Sequence, residues 1–126
     1  GILGVAALLL GARSAVGVDI DEVAVRVATE NAQQNGVAGR AAFLAGDLTQ
    51  KVEGTYQVVT ANIVADVILR LLPDLGRFLQ PGGDFIASGI IDTREQELVE
   101  AVAAAGYRIV EVRRLGGWVA IHARQA

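Results

Sequence analysis

Short apolar runs rich in β-branched residues alternate along this chain with segments of helical periodicity. Runs of this length and character are typical of parallel strands that are covered on both faces. The alternation therefore predicts an α/β fold in which helices pack on both faces of a mostly parallel sheet. The runs predicted to be strands in the first two thirds of the chain are Ser14 to Ile20, Ala41 to Ala45, Tyr56 to Ala61 and Phe85 to Ser88.

The helical segments between these strands carry recognisable end signals. A helix is predicted over Ile2 to Gly11, and Asp21 is placed to cap the next helix with its carboxylate. The pattern from Val64 to Leu79 is also helical. We expect Pro73 to break it and to begin a second helical segment, because proline is tolerated in a first turn.

The last third of the chain ends in a hairpin signal. Pro81-Gly82-Gly83 predicts a turn, and Asp92 with Glu95 resembles a capping box at the start of a helix. Tyr107 to Arg114 and Trp118 to Ala123 then predict two strands joined by a tight turn. We therefore predict a doubly wound sheet that ends in an antiparallel hairpin.

Composition excludes several classes of function. The 126 residues fit a single domain, 1–126. A net charge of −3 argues against direct nucleic-acid binding, which needs a clearly basic surface. The chain has no Cys and one His, so disulfides, cysteine zinc sites and multi-histidine metal sites are excluded, and we expect no metal.

The apolar start of the chain, Gly1 to Ala12, resembles a signal-peptide core at first sight. It is far shorter than the roughly 20 residues needed to span a bilayer, and no basic segment precedes it. We therefore expect no membrane association. The chain contains no Met, so we expect it to be cut inside a domain.

Polar residues follow three of the predicted strands, at the ends where open α/β sheets bind ligands. Asp19 ends the first of these strands, Asp47 follows the second and Asn62 follows the third. Each residue also has an ordinary explanation: a solvated Asp at a helix start, a turn Asp after Gly46, and a strand-end Asn that satisfies backbone groups.

Six short motifs, each weak alone, together resemble one enzyme family. They are Gly17-Val18-Asp19-Ile20-Asp21, Gly46-Asp47-Leu48, Ala61-Asn62-Ile63-Val64-Ala65-Asp66, Pro81-Gly82-Gly83, Ser88-Gly89-Ile90 and Gly116-Gly117-Trp118-Val119-Ala120. In combination they resemble the PrmA family, which methylates large-subunit ribosomal protein eleven. The resemblance implies a Rossmann-like class I methyltransferase fold, a three-layer sandwich. It also implies S-adenosylmethionine as cofactor, a ribosomal protein as substrate and a cytoplasmic location.

The resemblance implies that several residues bind the cofactor. Asp19 would accept hydrogen bonds from the ribose diol, with Ile20 beside it in the site. Asp47 would accept from the exocyclic amine of adenine, and Leu48 would lie beside the ring. Gly1 would approach the methionine part of the cofactor closely.

The resemblance assigns the catalytic role to Asn62. Methyl transfer to an amine is a direct displacement that requires no protein nucleophile and no metal. The carbonyl of Asn62 would accept a hydrogen bond from the substrate amine and orient its lone pair toward the methyl group. Ser88 and Gly89 either line the acceptor pocket or simply end a strand.

The chain departs from the family at its start. The family has an N-terminal substrate-recognition domain, a first strand and a glycine loop, of which only Gly1 corresponds to a residue here. Without the first strand, its two neighbours lack their shared partner, and buried strand edges must be paired. We expect local rearrangement, strand exchange, or a homo-oligomer that covers the gap.

Three functions remain open from the sequence. The first is a protein N-methyltransferase acting on a ribosomal protein. The second is a truncated fragment without catalysis, which we expect for this polypeptide because the glycine loop normally shapes the cofactor site. The third is a dinucleotide-binding domain, which the setting of Asn62 and the terminal hairpin make less favourable.

Overall fold

The computed structural model describes residues 1–47 and 52–125. By its internal contacts the chain divides into two compact units, Gly1–Val52 and Glu53–Ala126, which we call the first unit and the second unit. No helix within the described residues is long and apolar enough to cross a membrane.

The first unit contains two helices and a parallel strand pair. Its strands run side by side from the pair Ala15 and Ala41 to the pair Asp19 and Ala45. Because the two strands are parallel neighbours, their carboxyl ends meet at the same edge. The elements in chain order are α1 (Ile2–Leu9), β1 (Ala15–Asp19), α2 (Glu22–Gln34), a short 3-10 helix (Ala38–Arg40) and β2 (Ala41–Ala45).

Packing in the first unit depends on a glycine in β1. Gly17 is the register partner of Phe43 on β2, and a Cβ at Gly17 would lie 2.6 Å from Cδ1 of that ring. The missing side chain therefore leaves room for the aromatic ring. Phe43 packs in turn against a small buried cluster formed by Val5, Leu8, Ala32 and Val37.

The second unit is a four-stranded sheet with two helices. The strand order is β3-β4-β6-β5, in which β3 and β4 are parallel and β6 is antiparallel to both of its neighbours. The predicted terminal hairpin is therefore confirmed. The elements are β3 (Tyr56–Asn62), α3 (Ala65–Leu75), β4 (Leu79–Ile91), a short 3-10 helix (Asp92–Arg94), α4 (Glu95–Ala104), β5 (Tyr107–Leu115) and β6 (Trp118–Gln125).

The core of the second unit lies between one face of the sheet and its two helices. Fully buried side chains come from α3, α4, β4 and β6, and burying a side chain of this size stabilises the fold by about 1.5–3 kcal/mol. They include Ile68, Leu75, Phe85, Leu98 and Ile121. Because side chains alternate along a strand, Asp84 and Ile86 lie on the other face of β4.

The structure corrects two predictions that rest on proline. α3 continues through Pro73 to Leu75, so the predicted break is wrong. Pro73 lacks the N–H that would donate to the carbonyl of Leu69, so the helix continues through it with one bond fewer. The predicted turn at Pro81-Gly82-Gly83 lies inside β4, where the pairing with β3 shifts register between Tyr56 and Val58.

The capping box expected from Asp92 and Glu95 is also absent from the described structure. Asp92 begins the short 3-10 helix, and α4 starts after Arg94 without a side-chain cap. The backbone N–H of Asp92 donates instead to the carbonyl of Gly117 in the hairpin turn, at 3.0 Å. A tertiary contact therefore takes the place of the local motif.

Four strands are paired on one side only within the part of the chain that the structure describes: β1 and β2 in the first unit, and β3 and β5 at the edges of the second sheet. β1 is hydrogen-bonded to β2 alone, and β3 is hydrogen-bonded to β4 alone. Their remaining backbone donors and acceptors form edges that can pair with a further strand.

Candidate functional site

Asp19 closes β1 and is held by a local turn. Its Oδ1 accepts a hydrogen bond from the backbone N–H of Asp21 at 2.9 Å. Asp21 caps α2, since its own Oδ1 accepts from the N–H of Val23 at 2.9 Å. The prediction that Asp21 is the cap is confirmed, and Asp19 is left as an exposed carboxylate at the end of the strand.

Ile20 lies between these two acids and is 76% exposed. A large apolar side chain in this position contributes nothing to the buried cluster of the first unit. It can instead supply an apolar surface beside a carboxylate. That pairing suits a ligand with one polar and one flat apolar part.

The ends of β1 and β2 are joined directly. The backbone N–H of Gly46 donates to the carbonyl oxygen of Asp19 at 2.9 Å, one residue beyond the last pair of the strand register. Asp47 follows at once and is exposed. The structure therefore brings Asp19 and the Gly46-Asp47 segment to one edge of the first unit, as predicted, while Leu48 lies outside the described residues.

Gly1 occupies a close contact with the neighbouring helix. It precedes α1, and its carbonyl accepts from the N–H of Val5 at 3.1 Å. A Cβ at Gly1 would lie 2.4 Å from Cβ of Ala28 on α2. Packing of α1 against α2 thus already requires a glycine here, and the contact with a cofactor stays a prediction.

Asn62 ends β3 in the second unit and is exposed. Its register partner on β4 is Ser88. Gly89 follows with a positive φ of 76°, and a Cβ on it would lie 2.5 Å from Oδ1 of Asn62. The amide oxygen of Asn62 therefore occupies space that a side chain at position 89 would fill. The sequence alone does not predict this arrangement, because it depends on the strand register.

An ionic cluster lies on the face of the second sheet that is opposite to the helices. Nε2 of His122 lies 2.8 Å from Oδ1 of Asp84, and Nε of Arg124 donates to the same oxygen at 2.9 Å. The hydrogen bond from His122, followed by that from Arg124, lowers the pKa of Asp84 below its ordinary value. Both His122 and Arg124 are thus bonded to Asp84, and we interpret the cluster as structural.

The comparisons with known proteins identify a family over the whole chain. The family model described as ribosomal protein L11 methyltransferase (PrmA) matches residues 1–126. The chain is similar to the L11 methyltransferase of Pelotomaculum thermopropionicum, with 49% identity over 124 residues, covering 98% of this chain and 40% of that protein. A relative from Exiguobacterium sibiricum is 42% identical over 99% of this chain and 40% of its own length.

Solved structures agree with this assignment. A ribosomal protein L11 methylase from Lactobacillus delbrueckii superimposes with a TM-score of 0.94 at 33% identity, covering all of this chain and 65% of that chain. An RNA methyltransferase from Salinibacter ruber, solved with S-adenosyl-L-homocysteine, shares the fold with a TM-score of 0.77 at 24% identity, over 98% of this chain and 73% of that chain. These likenesses confirm the predicted Rossmann-like class I methyltransferase fold.

The chain spans about two fifths of the length of the curated relatives that it matches. The motifs that suggested the resemblance lie in both compact units, and the family match extends through both. On this evidence, the chain belongs to the ribosomal protein L11 methyltransferase (PrmA) family.

Proposed function

We propose that this chain is part of an S-adenosylmethionine-dependent methyltransferase that methylates an amine of ribosomal protein L11. The observation that carries the proposal is the hydrogen bond from Gly46 to Asp19, which brings two acid-bearing strand ends together. Family membership supports the substrate, and a neighbour of the same fold was solved with the demethylated cofactor. We propose further that residues 1–126 belong to one catalytic domain, which acts in the cytoplasm.

The residues at this edge fit an adenosyl group. Among the described residues, no hydrogen bond reaches Oδ2 of Asp19, so this oxygen can accept from a ribose hydroxyl. The exposed side chain of Ile20 offers an apolar surface for the base. Asp47 is proposed to accept from the exocyclic amine of adenine. An ionised carboxylate presents acceptors alone, which matches the donors of a ribose diol and of an amine.

The acceptor amine is proposed to bind at Asn62. When bound, S-adenosylmethionine supplies an electrophilic methyl group on a sulfonium. The amide Oδ1 of Asn62 accepts a hydrogen bond from an N–H of the neutral amine, and this fixes the direction of the nitrogen lone pair. Orientation of this kind is the main contribution that a protein can make to a direct displacement. Gly1 and Leu48 are proposed to complete the cofactor site.

A chimera provides the test of cofactor binding. This chain replaces the matching region of the Pelotomaculum thermopropionicum relative, so that every other segment of that protein is present. Asp19→Asn is then compared with Glu30→Gln, which removes the same charge from an exposed position on α2. Asn at position 19 can still accept from the N–H of Asp21, so the local turn is kept.

We expect Asp19→Asn to weaken binding of S-adenosyl-L-homocysteine, measured by calorimetric titration, by roughly ten- to a hundredfold. Hydrogen bonds to a charged group contribute about 1.5–3 kcal/mol, and each 1.4 kcal/mol is a factor of ten in affinity. Glu30→Gln should bind as the unaltered chimera does. Equal dissociation constants for the two variants would contradict the proposed role of Asp19.

A further inference from the structure

β4 contains a bulge at the place where it passes Asn62. Its pairing with β6 runs from Ala87 opposite Ile121 to Ile90 opposite Val119. β4 advances by one residue more than β6 over this step, so Ser88-Gly89 contains an extra residue. Bulges of this kind bend a strand and redirect side chains, and they are frequent beside active sites.

The bulge brings bare backbone against the side chain of Asn62. At Gly89, φ is 76°, a region that side-chain-bearing residues seldom adopt. The nearest atom to a Cβ built on Gly89 is Oδ1 of Asn62 at 2.5 Å, followed by the carbonyl oxygen of Ile63 at 3.3 Å and its nitrogen at 3.4 Å. Any residue other than glycine would therefore have to displace the amide of Asn62.

We propose that Gly89 is a positioning residue that holds the amide of Asn62 in its working orientation. The catalytic part of this inference rests on the proposed function, because it assumes that Asn62 binds the acceptor amine. Asn62 is exposed, so solvent alone would leave its side chain several rotamers. Because Gly89 has no Cβ, the amide oxygen of Asn62 can take this position before the substrate arrives, and preorganised acceptors are the effective ones.

The same strand offers a matched control. Gly82 has nearly the same φ, at 74°. A Cβ on Gly82 would meet no atom of the described residues within 4 Å. Gly82→Ala therefore has the cost of placing an alanine at a positive φ but causes no clash. Gly89→Ala has the same backbone cost and also clashes with the amide of Asn62. The difference between the two variants isolates the contact with Asn62.

The first measurement is the stability of the chimera in denaturant. We expect Gly89→Ala to lower the unfolding midpoint more than Gly82→Ala does. Adding Asn62→Ala should recover most of that excess in the Gly89→Ala background, because it removes the oxygen that the new methyl group meets. The same addition to Gly82→Ala should recover nothing. Equal midpoints for the two glycine variants, without recovery, would overturn the proposal.

The second measurement is the rate of methyl transfer. A misplacement of about 1 Å at a reacting group can cost about a hundredfold in rate. We expect Gly89→Ala to lower kcat at least about tenfold at an unchanged dissociation constant for S-adenosyl-L-homocysteine, while Gly82→Ala keeps kcat. An unchanged kcat in Gly89→Ala would refute the positioning role. If the unaltered chimera transfers no methyl group, the proposed function fails, and the midpoints alone then decide whether Gly89 holds Asn62.

Discussion

At the scale of single residues, Asp84 shows how a charged group is stabilised on a sheet surface. An ionised carboxylate has no hydrogen to donate. In its contact with ionised Asp84, Nε2 of His122 must therefore carry the proton and act as the donor. Arg124 donates to the same oxygen. Both contacts favour the ionised carboxylate, and for this reason the pKa of Asp84 lies below its ordinary value of 3.8 in the folded chain.

The lowered pKa of Asp84 predicts a pH-dependent contribution to stability. A carboxyl group whose pKa is lower in the folded state stabilises that state above its unfolded pKa, and the effect is lost as pH falls through the folded value. We expect Asp84→Asn to lower the melting temperature at pH 7, and the difference from the unaltered chain to shrink as pH falls below 3.8. Thermal melts between pH 7 and pH 2 measure this.

Asp74→Asn provides the control for that series, since it removes the same charge from α3 in the same unit. Its effect on the melting temperature should not follow the pH profile of Asp84→Asn. A difference between Asp84→Asn and the unaltered chain that stays constant down to pH 2 would show that the hydrogen bonds to Asp84 do not depend on its charge.

The sequence predicts a residue's role best where that role depends on positions close to it in the sequence. Asp21 was recognised as a cap because a helix start is a local signal. The nearness of Asp19 to Asp47 followed from parallel strands that end at one edge. The contact of Asn62 with Gly89 could not be predicted, because it depends on a bulge in β4 and on the pairing of β4 with two strands.

At the scale of elements, the start of α2 is fixed by one side chain. Oδ1 of Asp21 satisfies the N–H of Val23, which has no partner within the helix. We expect Asp21→Ala to destabilise the chain by about 1 kcal/mol in denaturant unfolding, whereas Asp21→Ser keeps an acceptor and most of the stability. Equal losses in the two variants would mean that the cap contributes little to the start of α2.

Elements shaped by tertiary contacts were predicted less well. Pro73 was expected to divide a helix, but burial of Ile68, Leu71 and Leu75 on one face keeps α3 continuous. Pro81-Gly82-Gly83 was predicted to form a turn, and these residues lie within β4 instead, between Leu79 and Asp84, where the pairing with β3 is interrupted. The break signal in α3 is overridden by packing that a single sequence does not display, whereas the signal in β4 marks a local irregularity of the strand.

At the scale of the whole molecule, the two compact units differ in the size of their cores. The buried cluster of the first unit consists of four residues, three of which are Ala or Val. The cluster of the second unit is larger and includes the fully buried side chains Ile68, Leu75, Phe85, Leu98 and Ile121. Regions with little buried apolar surface open at a lower free-energy cost.

This difference predicts unequal protection against hydrogen exchange. We expect the backbone amides of β1 in the first unit to exchange through openings of lower free energy than those of β4 in the second unit. Native-state hydrogen exchange at increasing denaturant measures both sets in one sample of the chain. The free energy of opening of the second unit should equal that of global unfolding at high denaturant, while that of the first unit should be lower.

The same experiment bears on the proposal that residues 1–126 form one catalytic domain. If β1 and β4 exchanged with one common free energy and one common denaturant dependence, the chain would unfold as a single cooperative unit. A lower opening free energy for β1 would instead mean that the first unit, with its small core and the unpaired edge of β1, gains too little stability from its own contacts. In the chimera, binding of S-adenosyl-L-homocysteine should then raise the protection of β1 selectively, because a ligand stabilises the state to which it binds.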